Sequence, residues 1–201
     1  MTELKVLQAV RLKGRIAEAD LPATVGADPA QVTTTVEKLT QSGMLVNGKM
    51  LRISPGGRER LNVLLAAERA TINPEAIAAA YDDFRGVNAD FKALVSDWQV
   101  KDGEPNTHLD IGYDAAVLKR LDRVHQKVMP IIATAATQVP RLVSYAAKLE
   151  GALGKLKAGD VAWLTRPIID SYHTVWFELH EELILLTGLT REDEAKAGHA
   201  Q

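Results

Sequence analysis

The sequence contains no cysteine among its 201 residues, which excludes disulfide scaffolds, thiolate zinc sites and cysteine nucleophiles. It has no apolar run of the roughly 18 residues that a membrane-spanning helix needs. The first residues, MTELKVLQAV, do not have the basic-then-apolar pattern of a secretory signal. A Gly-rich phosphate loop is also missing. We therefore expect a cytoplasmic protein with no membrane partner.

The overall composition is typical of a folded protein, with 46% hydrophobic and 25% charged residues and a net charge of −2. The length suits one or two domains. Residues 1–72 carry ten Lys/Arg and seven Asp/Glu, for a net +3, whereas residues 73–201 carry fourteen and nineteen, for a net −5. This asymmetry predicts two domains with different tasks, and only the first has the charge to approach a nucleic acid.

The pattern up to Gly43 predicts three helices. The first spans residues 3–12, and a short second one spans residues 16–25. Asp28 and Pro29 are the typical cap and first residue of a third helix, which ends near Gly43. The apolar positions at helical spacing are Leu4, Leu7 and Val10 in the first helix and Val32, Val36 and Leu39 in the third.

A short hairpin and a fourth helix follow. Asn47-Gly48 separates the apolar runs 44–46 and 49–53, and an Asn-Gly pair in that position is typical of a two-residue hairpin turn. Ser54-Pro55 repeats the signature of a helix start and precedes several leucines.

This order of elements, over residues 1–70, resembles the winged helix-turn-helix domain of MarR-like bacterial transcription regulators. The stretches that carry the resemblance are VTTTVEKLTQSGMLV, NGK and ISPGGRERL. The resemblance implies that the first stretch belongs to a recognition helix and that the short hairpin is the wing, although the family's wing is usually longer and more charged.

The face of the third helix opposite its apolar stripe is polar and suits contacts with bases and phosphates in a major groove. Lys and Arg on the wing suit phosphates. The predicted DNA-binding residues are Gln31, Thr33, Thr34, Thr35, Lys38, Gln41, Lys49 and Arg52. The alternative is a merely solvated face. Three consecutive threonines are poor helix formers, so their presence on an exposed helix face needs another reason, and this favours a role in contacting DNA.

Residues 73–201 predict an all-helical bundle, so that the fold class is mainly α. Asn73-Pro74 starts a long helix whose apolar residues recur every seven positions from Ile77 to Trp98. Residues 101–113 are predicted as a polar loop, Pro130 as the start of a new segment, and Pro140 as a kink. A last helix is expected after Pro167. Because an operator usually has two half-sites, the DNA-binding hypothesis favours a homodimer. The alternative is a monomer in which the apolar faces of the helices pack against one another within the chain.

One segment, 163–182, is rich in aromatic and titratable residues. Its two histidines lie seven positions apart, roughly 10 Å along a helix, so they cannot ligate one metal ion. A pocket for a small-molecule effector would be lined by Trp163, Arg166, Tyr172, His173, Trp176 and His180. Two alternatives remain: His180 is a core histidine bonded to another helix, and Arg166 forms a salt bridge with Asp170.

The second half also resembles a helical region of actinobacterial proteins of the pyruvate–phosphate-dikinase kind, through VSDWQVKDGEPNTHLDIGYDAAVLKRL and DSYHTVWFELHEELI. That resemblance implies a link to phosphoenolpyruvate or pyruvate metabolism.

The leading hypothesis is a dimeric regulator that binds double-stranded DNA and responds to a small molecule. The alternatives are an interaction module that docks a metabolic enzyme and, last, an enzyme. No catalytic residue, cofactor or metal is predicted.

Overall fold

The computed structural model describes residues 2–196 and residue 198, without the side chain of Asp193. The chain divides into two compact units, residues 1–72 and 73–201. The prediction of a mainly α fold is confirmed, and the strands in the described ranges are each two residues long. None of the described helices is both long and apolar enough to cross a membrane.

The first unit is built from short helices and one pair of antiparallel strands. Its elements are α1 (Thr2–Lys13), a 3-10 helix (Glu18–Asp20), α2 (Leu21–Val25), α3 (Pro29–Gln41), β1 (Leu45–Val46), β2 (Arg52–Ile53) and α4 (Pro55–Arg69). Helix α1 packs against both α3 and α4. Its buried residues Val6, Leu7 and Val10 therefore form the centre of this core.

Local capping explains where α3 begins and ends. The Asp28 carboxylate accepts a hydrogen bond from the Gln31 N–H at 3.0 Å, which satisfies one of the free donors of the first turn. Val32, Val36 and Leu39 are buried, as their spacing predicts. Gly43 then adopts a left-handed conformation with φ 74° and turns the chain toward β1.

The prediction of a two-residue turn at Asn47-Gly48 is wrong. Val46 pairs with Arg52, so that the connection runs over the five residues 47–51. Leu51 is buried and exchanges two backbone hydrogen bonds with Ile16, at 2.8 and 3.2 Å. Because Leu51 pairs with Ile16 rather than with β1, the pairing between β1 and β2 does not extend to Leu51.

The same bridge corrects the predicted second helix at 16–25. Ile16 is extended and bonded to Leu51, and α2 begins only at Leu21. Pro22 lies in the first turn of α2, where its missing N–H has no helical partner to lose. Ile16, the first residue of the predicted helix, is thus part of an isolated β-bridge with Leu51.

The first turn of α4 lies directly against the chain that leaves α3. The Ser54 hydroxyl accepts from the Gly57 N–H at 2.9 Å, and the Ser54 N–H donates to the Met44 carbonyl at 3.0 Å. A Cβ atom on Gly57 would lie 2.1 Å from that same carbonyl oxygen. Only glycine therefore allows this approach.

The second unit contains the longer helices. Its elements are α5 (Pro74–Gln99), β3 (Val100–Lys101), β4 (Glu104–Pro105), α6 (Ile111–Gln138), a 3-10 helix (Pro140–Leu142), α7 (Val143–Lys157), α8 (Ala162–Thr165), α9 (Tyr172–Thr187) and α10 (Arg191–Lys196). Helix α5 packs along α6 and α9, and α9 also packs against α7 and α8. The interior is aromatic and aliphatic.

The prediction that this half is entirely helical, with a polar loop over 101–113, is wrong. Strands β3 and β4 form a hairpin whose turn is Asp102-Gly103. Both turn residues have positive φ, 55° and 84°, as a type I′ turn requires. Helix α6 then starts two residues before the end of the predicted loop, with Asp110 as its cap.

Two prolines behave differently from their predictions. Pro130 lies inside α6 rather than at a helix start. Its ring is on the exposed side, while Val128 and Ile132 are buried on either side of it, so that packing compensates for the lost backbone hydrogen bond. At Pro140 the helix ends instead of kinking, and a 3-10 turn leads into α7.

The last long helix starts later than predicted. After Pro167 the chain makes a turn, and α9 begins at Tyr172 with Ser171 as its cap. Ile168 in this turn has a positive φ of 79° and is exposed. The residues that directly follow Pro167 therefore lie outside α9.

Candidate functional sites

The predicted DNA-binding residues of α3 lie on its outward side. Gln31, Thr33, Thr34, Lys38 and Gln41 are exposed, whereas Thr35 is half-buried. The apolar residues of α3 face the core, because α1 packs against this helix. A polar face some three turns long is thus presented away from the core.

Thr35 differs from its neighbours. Its hydroxyl donates to the Gln31 carbonyl at 2.7 Å, a bond within the helix that many helical threonines make. Together with Gln31, Thr34, Ala30 and Thr2, it borders a shallow depression where the start of α1 meets α3. Thr35 is therefore placed at the edge of the polar face rather than at its centre.

The basic residues that follow α3 in the first unit include exposed side chains and one that forms an ion pair. Lys49, in the connection 47–51, and Arg52, on β2, are exposed. Arg60 instead forms a two-bond ion pair with Glu3, with Nε to Oε1 at 2.8 Å and Nη2 to Oε2 at 3.1 Å. The Arg60 guanidinium lowers the pKa of the Glu3 carboxyl. Arg60 thus joins α4 to α1.

Helix α9 is buried on nearly every side. The buried set includes charged and polar side chains as well as apolar ones, namely Tyr172, Val175, Trp176, Glu178, Leu179, His180, Glu181, Glu182, Leu183, Ile184 and Leu186. A helix enclosed in this way must find partners for its polar groups inside the unit.

A cavity of about 330 Å³ lies between α5 and α9. We call it the α5/α9 cleft. Its lining comes from α5, α9 and the first residue of α10 and consists of Asn88, Phe91, Lys92, Ala93, Val95, Ser96, Gln99, His173, Trp176, Phe177, His180 and Arg191. The Trp176 indole N–H donates to the Asn88 side-chain oxygen at 2.9 Å, which ties the two helices together at the cleft.

The structure brings together three of the six predicted pocket residues. His173, Trp176 and His180 line the α5/α9 cleft, whereas Trp163, Arg166 and Tyr172 do not. Trp163 is half-buried on α8, and Arg166 is exposed just after it. Tyr172 is buried, with its hydroxyl 3.2 Å from Nδ1 of His125 on α6.

His180 is held by a chain of hydrogen bonds that ends at the ion pair of the buried Glu194 and the partly exposed Arg85. The Tyr81 hydroxyl donates to Glu194 at 2.5 Å, so its oxygen accepts from His180 Nε2, 3.1 Å away. Glu194 is also bound by Arg85, at 2.6 Å. Burial, with the positive charge of Arg191 nearby, lowers the pKa of His180 to about 4. The imidazole is therefore neutral near pH 7.

The lowered pKa of His180 makes the second unit sensitive to acid. The unfolded chain takes up this proton near pH 6.5 and the folded one only near pH 4, so the stabilisation is complete above pH 6.5. It declines as the pH falls toward 4 and is absent below that value. We expect the unfolding free energy of the wild type to fall more steeply over this window than that of His180→Gln, whose amide keeps a donor for Tyr81.

Denaturant unfolding at a series of pH values measures this difference. The two proteins differ only at residue 180, so the comparison isolates His180. Equal slopes in the two proteins would contradict the prediction.

The three buried glutamates of α9 have basic partners on other elements. Arg141 Nη1 lies 2.6 Å from Glu182 Oε1, and Lys148 Nζ lies 3.8 Å from Glu178 Oε2. Arg191 pairs with Glu181 and also stacks over the Phe177 ring, 4.6 Å from its centroid. These glutamates therefore join α9 to its neighbours, and one of their partners, Arg191, also lines the cleft.

Sequence reasoning missed the polar residues that other helices contribute. Asn88 and Lys92 line the cleft from α5, and His125 bridges Tyr172 and Glu150, whose oxygen is 3.0 Å from its Nε2. A signal was available for Asn88 and His125. Each interrupts a regular apolar stripe, between Phe84 and Phe91 in α5 and next to Val124 in α6, and a polar residue in such a position needs a buried partner.

The described residues contain no group of three or more histidines and carboxylates that could hold a metal ion. The carboxylate of Asp170 lies 3.8 Å from Lys148 Nζ, and the side chain of Arg166 is exposed. Family models, curated proteins and solved structures were each compared with the chain, and none of them matches it.

Proposed function

We propose that the protein is a dimeric DNA-binding transcription regulator. In this proposal residues 1–72 form a winged helix-turn-helix that contacts double-stranded DNA through α3. Residues 73–201 form a helical bundle that dimerises and binds a small-molecule effector in the α5/α9 cleft. Such a protein works by linkage, because a ligand that prefers one arrangement of the two DNA-binding heads changes the affinity for the operator.

The exposed polar face of α3 is the observation that carries the proposal. Gln31, Thr34, Lys38 and Gln41 are exposed on a capped thirteen-residue helix whose opposite side is buried. Glutamine and lysine side chains at this spacing suit base edges and phosphates. The exposed Lys49 and Arg52 add phosphate contacts beside the helix. The first unit also carries the net positive charge that such contacts need.

The proposed dimer follows from the geometry of operators and has support in the second unit. Two reading heads are needed for half-sites about 34 Å apart, and each chain has one such head. The second unit exposes several large apolar side chains, namely Val100, Leu109, Ile111, Val143, Val161 and Ile168. Exposed apolar side chains favour association with a second copy where they form one contiguous patch. Sedimentation of the full chain at micromolar concentration gives the oligomeric state.

The DNA-binding proposal is tested with the full chain and a random pool of duplex DNA. We expect repeated selection to enrich a common sequence, and Lys38→Met to weaken binding to it about five- to tenfold while lowering the salt slope by about 1. Methionine keeps the aliphatic stem and removes the charge. Fluorescence anisotropy at several salt concentrations measures both quantities.

Lys119→Met is the matched control, because it removes the same charge from an exposed position on α6. We expect it to leave the DNA affinity almost unchanged. The proposal is wrong if no sequence is enriched, or if the two variants weaken binding equally.

A further inference from the structure

Helix α10, the last of the described helices, differs from the rest of the second unit in how it is held. It is six residues long, REDEAK, and among its described side chains only Glu194 is buried. The helix therefore adds no apolar side chain to the core. Isolated helices shorter than about 12 residues are marginal in water, so α10 is helical because it packs against the bundle.

The Glu194 carboxylate anchors α10 to α5. It is 2% exposed and accepts hydrogen bonds from the Tyr81 hydroxyl at 2.5 Å and from Arg85 Nη2 and Nε at 2.6 and 3.3 Å. Hydrogen bonds that involve charged groups are among the strong ones in proteins. They weaken steeply with distance and angle, so this anchor is lost as a whole once the carboxylate moves away.

The partners of Glu194 on α5 keep other contacts when the carboxylate leaves. The Arg85 side chain is 28% exposed and also lies 3.1 Å from Asp82 Oδ1. The Tyr81 hydroxyl remains beside His180 Nε2, at 3.1 Å. Arg85 thus retains a counter-charge and contact with water. Release of α10 therefore avoids the large cost of leaving a charge buried without a partner.

The connection to α9 allows α10 to move by itself. Helix α9 ends at Gly188, which has a φ of 77°, and glycine adopts other backbone conformations at little cost. Beyond this residue, the Arg191 guanidinium pairs with Glu181 and lies over the Phe177 ring, 4.6 Å from its centroid. Rotation at Gly188 would therefore lift α10 from Phe177 without unwinding α9.

We propose that α10 is a releasable strap, which detaches from α5 as one segment while the rest of the bundle stays folded. Glu194 holds the closed state. In the open state the Phe177 ring and the Tyr81 hydroxyl become accessible beside the α5/α9 cleft, whose lining includes Arg191. Segments with few buried apolar contacts are the ones that open locally. The inference concerns the second unit alone and does not rest on the binding of DNA.

Amide hydrogen exchange of the full chain, followed by NMR, tests the strap. The reporter is the Glu194 N–H, which donates to the Thr190 carbonyl at 3.1 Å. In the wild type we expect this amide to be protected, but at least about tenfold less than the slowest amides of α5 and α9. Glu194→Ala is expected to lower the protection factor at residue 194 at least about tenfold, while α5 and α9 remain protected.

Glu192→Ala is the matched control on the same helix. The Glu192 side chain is 78% exposed and pairs with Lys196 at 2.9 Å, so we expect a change below about threefold. Arg85→Met removes the other half of the anchor and should also lower the protection at residue 194. The double variant Arg85→Met/Glu194→Ala should add little to either single change, because both residues act through one contact.

The detachment itself is read from a distance between two spin labels. The chain has no cysteine, so Ala89→Cys on α5 and Ala195→Cys on α10, both at exposed positions, carry the labels. We expect one narrow distance in the otherwise wild-type chain and a broad, longer distribution when Glu194→Ala is added.

Three results would each overturn the inference. The first is exchange at residue 194 together with α5 and α9 in the wild type. The second is an equal effect of Glu192→Ala and Glu194→Ala. The third is a label distance that stays narrow in the Glu194→Ala chain. These measurements need no DNA, so failure of the strap and failure of the DNA-binding proposal remain separate results.

Discussion

Replacing Glu182 by alanine is expected to destabilise the second unit by about 3–5 kcal/mol. Glu182 is 2% exposed, and its partner Arg141, 2.6 Å away, is 8% exposed. The Tyr145 hydroxyl also donates to Glu182, at 3.3 Å. Removing the carboxylate leaves a guanidinium buried beside α9 without this counter-charge. A loss of that size is a large part of the 5–15 kcal/mol by which domains are usually stable.

Denaturant unfolding followed by tryptophan emission measures this loss, because every tryptophan lies in residues 73–201. Asp90→Ala is the matched control. Asp90 pairs with Lys127 at 2.7 Å, but both side chains are more than half exposed, so we expect a change below about 1 kcal/mol. The double variant Arg141→Met/Glu182→Leu should recover much of the loss, since both charges of this pair are then removed. Equal effects of Glu182→Ala and Asp90→Ala would contradict the prediction.

Gly57→Ala is expected to destabilise the first unit by about 3 kcal/mol or more. The added methyl group would lie 2.1 Å from the Met44 carbonyl oxygen and 2.9 Å from the Ile53 side chain. The first of these neighbours is backbone, and its carbonyl also accepts from the Ser54 N–H. Relief of the clash therefore requires α4 to move away from the link between α3 and β1.

Gly56→Ala is the adjacent control, because the nearest atom to its new methyl group is the Ser54 hydroxyl oxygen at 3.9 Å. We expect it to be neutral or slightly stabilising. The first unit contains no tryptophan, tyrosine or phenylalanine, so amide hydrogen exchange in α1 and α3 is the suitable measurement. Similar protection in the two variants would show that the close approach at Gly57 is not needed.

Signals that act within a few residues predicted the fold well. Asp28-Pro29, Ser54-Pro55 and Asn73-Pro74 each mark a helix start, and each cap accepts the expected backbone hydrogen bond. These bonds span two or three residues, so the sequence alone contains both partners. The same locality allowed the mainly α class to be predicted from apolar spacing.

The two turn dipeptides show where local reasoning failed. Asn47-Gly48 predicts a tight hairpin, but Leu51 pairs with Ile16, far away in the sequence, and the connection becomes longer. Asp102-Gly103 has the same chemistry and does form the tight turn. It was missed because the strands beside it are two residues long and contain Lys101 and Glu104, so that no apolar alternation marks them.

The α9 side of the α5/α9 cleft could be predicted from the sequence, whereas the α5 side could not. The ring-bearing residues of α9 were recognised because they cluster within one segment. Their partners Asn88 and Lys92 lie some eighty residues earlier, and helical periodicity does not say which helix packs against which. Arg166 was therefore included among the pocket residues, although it is exposed and outside the cleft lining.

The enclosed position of α9 also has a consequence for synthesis of the protein. The core of the first unit is complete once residue 72 has been made, so this unit can fold while the rest of the chain is still being translated. Phe84 and Phe91 of α5, in contrast, pack against Trp176 of α9. These rings remain uncovered until α9 has left the ribosome. The nascent second unit is therefore the part of the protein that depends most on protection by chaperones.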